Sequence, residues 1–221
     1  MTIKKLFTSP AHPTHHDQLL NEVFSAITHG VGFLLAVAAL VLLVVKASAT
    51  HDVLRIVTFT IYGSCMALLY LFSMLYHSLF FTKARHVFQI FDHSSIFILI
   101  AGTYTPYTLV AIGGWHGWTI FGIIWALAIA GILMKILFTN APQFYETILY
   151  VLMGWMIILA SQPLAKAIGQ TGLWLLIAGG IAYTFGALLY SMRGIKYIHV
   201  IWHIFVMIGS ILMFFSVYLY V

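Results

Sequence analysis

Long apolar runs that recur along the whole chain constrain its fold more than any other feature. Seven of them are near the length of roughly 20 residues that a helix needs to cross a ~30 Å hydrocarbon layer. Of the 221 residues, 62% are hydrophobic and only 7% are charged. A water-soluble core of this size does not bury so much apolar surface. The sequence therefore predicts an all-α bundle of seven transmembrane helices.

Short connections separate these runs, and nothing in the sequence marks a second domain. The predicted spans cover about residues 22–45, 54–76, 92–112, 117–137, 147–164, 173–190 and 198–220. We predict a single membrane domain over residues 21–221, preceded by a tail over residues 1–20. That tail lacks the apolar core and cleavage site of a secretory signal, so we expect it to be cytoplasmic. Pro106 lacks a backbone N–H and predicts a kink in the third span.

The distribution of Lys and Arg predicts the orientation, because cytoplasmic loops carry the excess of these residues. With the amino terminus inside, the inner segments hold Lys4, Lys5, Lys83, Arg85, Lys135, Arg193 and Lys196. The outer segments then hold only Lys46, Arg55 and Lys166. We predict a cytoplasmic amino terminus and, after seven crossings, an outside carboxyl terminus. The net charge of +5 is explained by anionic inner-leaflet lipid and indicates no nucleic-acid partner.

Several polar side chains lie inside the predicted spans, where an ionisable group costs about 3 kcal/mol at the bilayer centre and is a candidate for function. They are Glu22 and His29 in the first span, Ser73 and His77 in the second, Asp92 and His93 in the third, and His199 and His203 in the last. Odd helices begin on the side where even helices end. We therefore expect these residues to meet at one depth, near the cytoplasmic surface.

The histidines of this group predict a metal site. His199 and His203 are four residues apart and share one helical face, about 6 Å apart along the axis. His77 is the best placed third ligand. Three imidazoles with an open fourth position are typical of catalytic zinc, whose bound water reaches a pKa of about 7. The single cysteine, Cys65, argues against a closed cysteine site and forms no internal disulfide, and the few acids argue against a magnesium or calcium cage.

The remaining polar residues are assigned around this ion. Asp92 is predicted to accept a hydrogen bond from the metal-bound water as a base, although an N-cap role would also explain an aspartate there. Ser73 faces the same way as His77, so it either orients that water or packs between helices. His93 fits an interhelical hydrogen bond as well as a metal site. The first helix adds an accessory polar stripe formed by Glu22, Ser25 and His29.

Four separated stretches resemble the bacterial hemolysin III proteins, of the progestin and adipoQ receptor superfamily. They are "NEVFSAITHGVG", "FSMLYHSL", "FDHSSIFILIAGTYTPY" and "IHVIWHIFVMIGS", and the resemblance covers about residues 21–220. It implies a seven-helix fold and zinc held by the same three histidines near the cytoplasmic side. Ser73 and Asp92 stand at the family's serine and aspartate positions. Adiponectin receptors are related, and alkaline ceramidases have a similar metal site, which points to hydrolysis of a lipid amide.

The sequence favours three functions, and it also leaves open a transporter that uses His and Asp as a proton relay. The leading hypothesis is a zinc-dependent, ceramidase-like hydrolase of a lipid amide in a bacterial inner membrane, with Asp92 as the base and membrane lipid as substrate or ligand. A second is a non-catalytic membrane receptor or sensor in which zinc is structural. A third is a membrane-lytic hemolysin, as the family name suggests. A retinal protein is excluded, because Lys196 precedes the last span and that span contains no lysine for a Schiff base.

Overall fold

A computed structural model describes residues 14–138, 143–191 and 196–221, and these residues are helical apart from short connections. The helices are α1 (His15–Ser48), α2 (Val53–Ser78), α3 (Arg85–Pro106), α4 (Gly114–Leu137), α5 (Gln143–Trp155), α6 (Ser161–Tyr190) and α7 (Ile198–Tyr220). Within the described part, 6 helical segments are long and apolar enough to cross a membrane, with α5 and α6 counted as one. The predicted all-α fold of a multi-pass membrane protein is therefore confirmed, while the number of crossings and the orientation stay predictions.

The first helix begins earlier than the apolar run predicts. Thr14 caps α1, and its hydroxyl oxygen accepts a hydrogen bond from the backbone N–H of Asp17 at 3.1 Å. Residues 15–20 of the predicted tail are consequently helical, and residues 1–13 lie outside the described residues. The Lys196 ammonium, 3.2 Å from the Asp17 carboxylate, joins the beginning of α1 to the residues just before α7.

Contacts at both ends of the bundle show that α1 and α7 run in the same direction. Near their beginnings lies the Asp17–Lys196 pair, and near their ends the Lys46 ammonium donates to the backbone carbonyl of Tyr218. Helix α2 runs the opposite way, because Glu22 near the beginning of α1 contacts His77 near the end of α2. The beginnings of α1 and α7 and the end of α2 therefore share one side, as the sequence predicts.

A small residue brings α1 and α2 close together at the level of the site. Gly32 of α1 faces the ring of Tyr70, and a Cβ at this glycine would lie 2.6 Å from a ring carbon. That spacing leaves no room for a larger side chain without a shift of the ring. The close approach holds Glu22 within reach of α2, two to three turns nearer the beginning of α1.

The third helix continues beyond the predicted kink. Pro106 ends the α-helical part of α3, and the chain goes on as a π-helix over Tyr107–Ile112. A π-helical stretch has wider turns and often occurs at functional sites. The side chains of Tyr104 and Tyr107 face the interior, where both are buried.

Residues 143–190 form a helical hairpin whose reversal lies inside α6, and the hydropathy pattern shows its arms as two short runs. Residues 143–190 are helical with a 3₁₀ stretch at Met156–Ala160, but Gly169 has φ 68° and ψ 175°, outside the helical region. The Trp155 indole N–H donates to Thr184 Oγ1 at 2.9 Å. Since these residues lie on either side of Gly169, the chain reverses there. The predicted spans 147–164 and 173–190 correspond to the two arms.

Candidate metal centre

Three imidazoles from two helices converge at the shared end of α1, α2 and α7. The three residues are His77 of α2 and His199 and His203 of α7. Each offers one ring nitrogen, and these three nitrogens lie within 4.8 Å of one another. The Nε2 atoms of His77 and His199 are 3.0 Å apart. His77 and His203 are buried and His199 is partly buried. The structure thus brings together the three histidines that the sequence predicts as metal ligands, in an arrangement that could hold an ion.

The spacing of these nitrogens fits a small ion. Tetrahedral zinc with bonds of about 2.0 Å holds its nitrogen ligands roughly 3.3 Å apart. The distances between the imidazole nitrogens run from 3.0 Å to at most 4.8 Å. Small side-chain rotations therefore suffice to bring all three nitrogens to the spacing that zinc requires. Two imidazole nitrogens at 3.0 Å without a shared proton or cation would repel each other through their lone pairs.

A carboxylate of α1 sets the tautomer of His77. Glu22 Oε2 lies 2.7 Å from His77 Nδ1, and both side chains are buried. Because a carboxylate only accepts, Nδ1 carries the proton and Nε2 presents its lone pair toward the other histidines. Outer partners of this kind orient metal ligands and raise their basicity. Glu22, predicted only as part of an accessory stripe, is therefore a specific partner of a ligand.

A threonine of α1, which was not predicted from the sequence, sets the tautomer of His203. The Thr28 hydroxyl donates to the Phe24 carbonyl at 2.9 Å, so its lone pair is available to His203 Nδ1 at 3.3 Å. The Nε2 atom of His203 is then directed at the site. The sequence did offer one signal, because Thr28 lies three residues after Ser25 on the same helix. This signal is weak, since a threonine in a membrane helix usually bonds to a carbonyl of its own helix, and Thr28 makes such a bond as well.

The other two members of the accessory stripe pack around the site. The His29 ring stacks on His203 with centroids 3.5 Å apart and an interplanar angle of 13°. Neither nitrogen of the His29 ring, nor the Ser25 hydroxyl, has a hydrogen-bond partner among the described residues. His29 therefore forms a wall of the site and does not belong to the close set of ligand atoms.

Asp92 and Ser73 lie beside the histidines. Ser73 lies four residues before His77 on α2, and Asp92 lies on α3. The N-cap explanation of Asp92 is wrong, because α3 begins at Arg85 and Asp92 lies well inside the helix. Both residues line the same cavity as His199 and His203.

That cavity extends from the histidines into the middle of the bundle. The cavity has a volume of about 140 Å³ and is partly open to the surroundings, and its deeper wall includes Tyr107 and Met213. His203 and Met213 are both on α7, so ten residues at ~1.5 Å each place them about 15 Å apart along the axis. The lining is mainly aliphatic and aromatic below the polar end. The cavity is therefore polar at the histidines and mainly apolar beyond them.

A second buried polar cluster lies next to the cavity and was also missed from the sequence. Glu146 Oε2 accepts from His93 Nδ1 at 2.8 Å, and Glu146 Oε1 accepts from Lys135 Nζ at 2.8 Å. Of the two interpretations left open for His93, the structure gives the interhelical hydrogen bond. Lys135 was counted only as an inner-side charge at the end of the fourth predicted span, but it is buried with only 5% of its surface exposed.

Known proteins resemble this chain over nearly its whole length. A family model described as "Haemolysin-III related" matches residues 17–214. "Hemolysin-3" of Bacillus cereus is 46% identical over 200 residues, which are 90% of this chain and 91% of that protein. "Hemolysin-3 homolog" of Bacillus subtilis (strain 168) is 44% identical over 199 residues, covering 90% and 93%. "Monocyte to macrophage differentiation factor" of Homo sapiens is 24% identical over 219 residues, covering 96% and 89%.

Proposed function

We propose that this chain, which belongs to the haemolysin-III related family, is a zinc-dependent hydrolase of a lipid amide. The observation that carries the proposal is the convergence of three imidazoles, two of them with Nδ1 held by other side chains, at the polar end of an apolar cavity. We further propose seven crossings of a bacterial inner membrane, with residues 1–20 in the cytoplasm and residues 21–221 as one membrane domain.

The donor set supports zinc over other ions. Three neutral imidazoles and no thiolate in the close set leave a fourth position for solvent or substrate, as in catalytic zinc sites. His77, His199 and His203 would hold the ion. When bound, zinc supplies a water of lowered pKa and polarises the carbonyl under attack.

The residues beside the histidines supply the proton transfers that amide hydrolysis needs. Asp92 accepts a proton from the attacking water and later returns it to the leaving nitrogen, so that the amide and water give a carboxylic acid and an amine. Ser73, which lines the cavity together with Asp92, orients the attacking water. The apolar cavity below receives the acyl chain and excludes bulk water from the reacting carbonyl.

The test separates metal binding from turnover in the full-length protein reconstituted in nanodiscs. We expect His203→Ala to lose both zinc and ceramide hydrolysis. Asp92→Asn keeps its zinc but loses hydrolysis about 100-fold or more, since general acid–base groups contribute ~10²–10⁴-fold. His116→Ala, which alters an exposed histidine, is the matched control and retains both. Zinc-loaded wild type that cleaves no ceramide-like lipid, with unchanged cellular lipids in Asp92→Asn, would refute the hydrolase.

A receptor or sensor with structural zinc is the second candidate. It is favoured by the way the site joins helices: His77 of α2 meets His199 of α7, and both ligand-bearing helices are tied to α1 through Glu22 and Thr28. An ion there would fix the relative positions of three helices. In that case Asp92→Asn leaves the cellular phenotype intact, while His203→Ala abolishes it. The name of the Bacillus cereus relative suggests lysis, which dye release from liposomes by the purified protein would reveal.

A further inference from the structure

The buried cluster of His93, Glu146 and Lys135 joins three helices next to the cavity. It links α3, α4 and α5 through two bonds of 2.8 Å to one carboxylate, and Glu146 is only 1% exposed. Burying ions inside a membrane bundle is expensive, and a pair of hydrophobic residues would hold the same helices together at least as well. The cluster therefore calls for a role beyond packing.

One nitrogen of the cluster remains available. Because the Glu146 carboxylate only accepts, His93 Nδ1 is the donor, and Lys135 balances the charge of the carboxylate. The Tyr150 hydroxyl donates to the backbone carbonyl of His93 at 2.9 Å and fixes the turn of α3 that carries the ring. Among residues 14–138, 143–191 and 196–221, His93 makes its side-chain hydrogen bond through Nδ1 and none through Nε2, and His93 lines the cavity.

Asp92, the preceding residue of α3, lines the same cavity as His93. In the neutral ring, Nε2 is an acceptor, and the Asp92 carboxylate is an acceptor as well. Two acceptors side by side on a cavity wall are complementary to a ligand that brings hydrogen-bond donors. The deeper lining is apolar, so the donors belong to the head of an amphiphile and not to its tail.

We propose that His93, held by Glu146 and Lys135, is a specificity-determining residue that binds a hydroxyl on the head of the lipid amide. This deepens the hydrolase proposed above and rests on it for the identity of the ligand as an amide. The site selects N-acyl amino alcohols over plain N-alkyl amides of the same chain length. His93 Nε2 accepts from the head hydroxyl, while the histidine site engages the amide carbonyl.

Two substitutions of His93 distinguish recognition of the ligand from a purely structural role, in which His93 only joins α3 to α5 through Glu146 (a clamp). His93→Asn places an amide N–H where Nδ1 stands and keeps the bond to Glu146, but it removes the Nε2 position. His93→Gln places a polar atom near the Nε2 position but loses the bond that Nδ1 makes to Glu146. A clamp requires only the Glu146 bond, so it predicts that His93→Asn resembles the wild type and His93→Gln is impaired. Recognition predicts that His93→Asn loses selectivity with unchanged zinc content and thermal stability.

The experiment uses the full-length, zinc-loaded protein in nanodiscs and measures displacement of a fluorescent ceramide analogue. The competitors are a short-chain N-acyl sphingoid base and an N-alkyl amide with the same acyl chain but no hydroxyl. We expect the wild type to prefer the hydroxylated amide about 10-fold, the order expected from one hydrogen bond to a buried group. We expect His93→Asn to bind both amides equally, and His93→Gln to retain a preference.

Each result decides the proposal. A wild type that binds neither competitor or does not discriminate overturns it, and so does a His93→Asn variant that keeps the full preference. If the wild type discriminates, His93→Asn does not, and the wild type cleaves neither amide, the hydrolase fails and the recognition by His93 stands. If His93→Asn cleaves both amides with the wild-type KM and kcat, the recognition fails and the hydrolase stands.

Discussion

Replacing Glu22 by Gln tests whether α1 controls the affinity of the histidine site. The carboxylate lies 2.7 Å from His77 Nδ1, and the Glu22 and His77 side chains are 11% and 2% exposed. A hydrogen bond to a charged group in such surroundings contributes about 1.5–3 kcal/mol. At ~1.4 kcal/mol per tenfold change, a loss of most of that contribution weakens the site roughly 10- to 100-fold. That range agrees with the ~10–100-fold effect of removing outer partners from metal-bound histidines.

The measurement is a zinc titration in detergent against a chromophoric chelator, with the full-length protein. Asp17→Asn is the matched control, because it neutralises an acid of the same helix that pairs with the exposed ammonium of Lys196. We expect Asp17→Asn to bind zinc like the wild type and Glu22→Gln to bind it at least 10-fold more weakly. His77→Ala sets the lower limit.

The result that refutes this reasoning is specific. If Glu22→Gln stays within twofold of the wild type while His77→Ala loses zinc, the Glu22 bond does not tune the ligand. If Glu22→Gln and Asp17→Asn weaken zinc binding equally, the effect is the general loss of a negative charge from α1.

Three further predictions concern the helix contacts and the metal. Gly32→Ala places a Cβ against the ring of Tyr70 and should lower the free energy of unfolding by about 1–3 kcal/mol. Denaturation in detergent measures this change. The control is Gly122→Ala, which has open space around it and should be neutral. Gly169→Ala forces a side chain into the left-handed region and should cost about 1–2 kcal/mol; wild-type stability in this variant would contradict the reversal at Gly169. Removal of zinc by a chelator should lower the Tm of the wild type, because an ion that binds only the folded state stabilises it, and should leave the Tm of His203→Ala unchanged.

The convergence of the histidines was predictable because it depends only on topology. In a bundle of antiparallel neighbours, the beginnings of α1, α3 and α7 and the end of α2 must share one side, whatever the details of packing. The i, i+4 spacing of His199 and His203 then fixes a common face. No knowledge of side-chain contacts is needed for either step, so the apolar runs and the polar positions suffice.

The partners of the histidines were not predictable in the same way. Which side chain of α1 reaches His77 or His203 depends on the rotation of α1 about its axis, and a single Cβ against Tyr70 would alter it. The pairing of Lys135 with Glu146 depends on how α4 and α5 meet, and the charge count used this lysine only to predict the orientation of the chain. Gly169 looked like an ordinary glycine between two runs, because hydropathy does not report a positive φ.

Helix α1 orients histidines that belong to α2 and α7, so its position affects binding of an ion at the site. The three proposed ligands come from α2 and α7, whereas the groups that hold Nδ1 of His77 and His203 both come from α1. A rotation or shift of α1 would therefore release both imidazoles together, since it breaks both outer bonds while leaving the ligands on their helices. Affinity for the ion and the position of α1 are coupled by thermodynamic reciprocity. An ion that binds more tightly when α1 is in place must also hold α1 in place, so the bonds made by Glu22 and Thr28 link the stability of the bundle to occupation of the site.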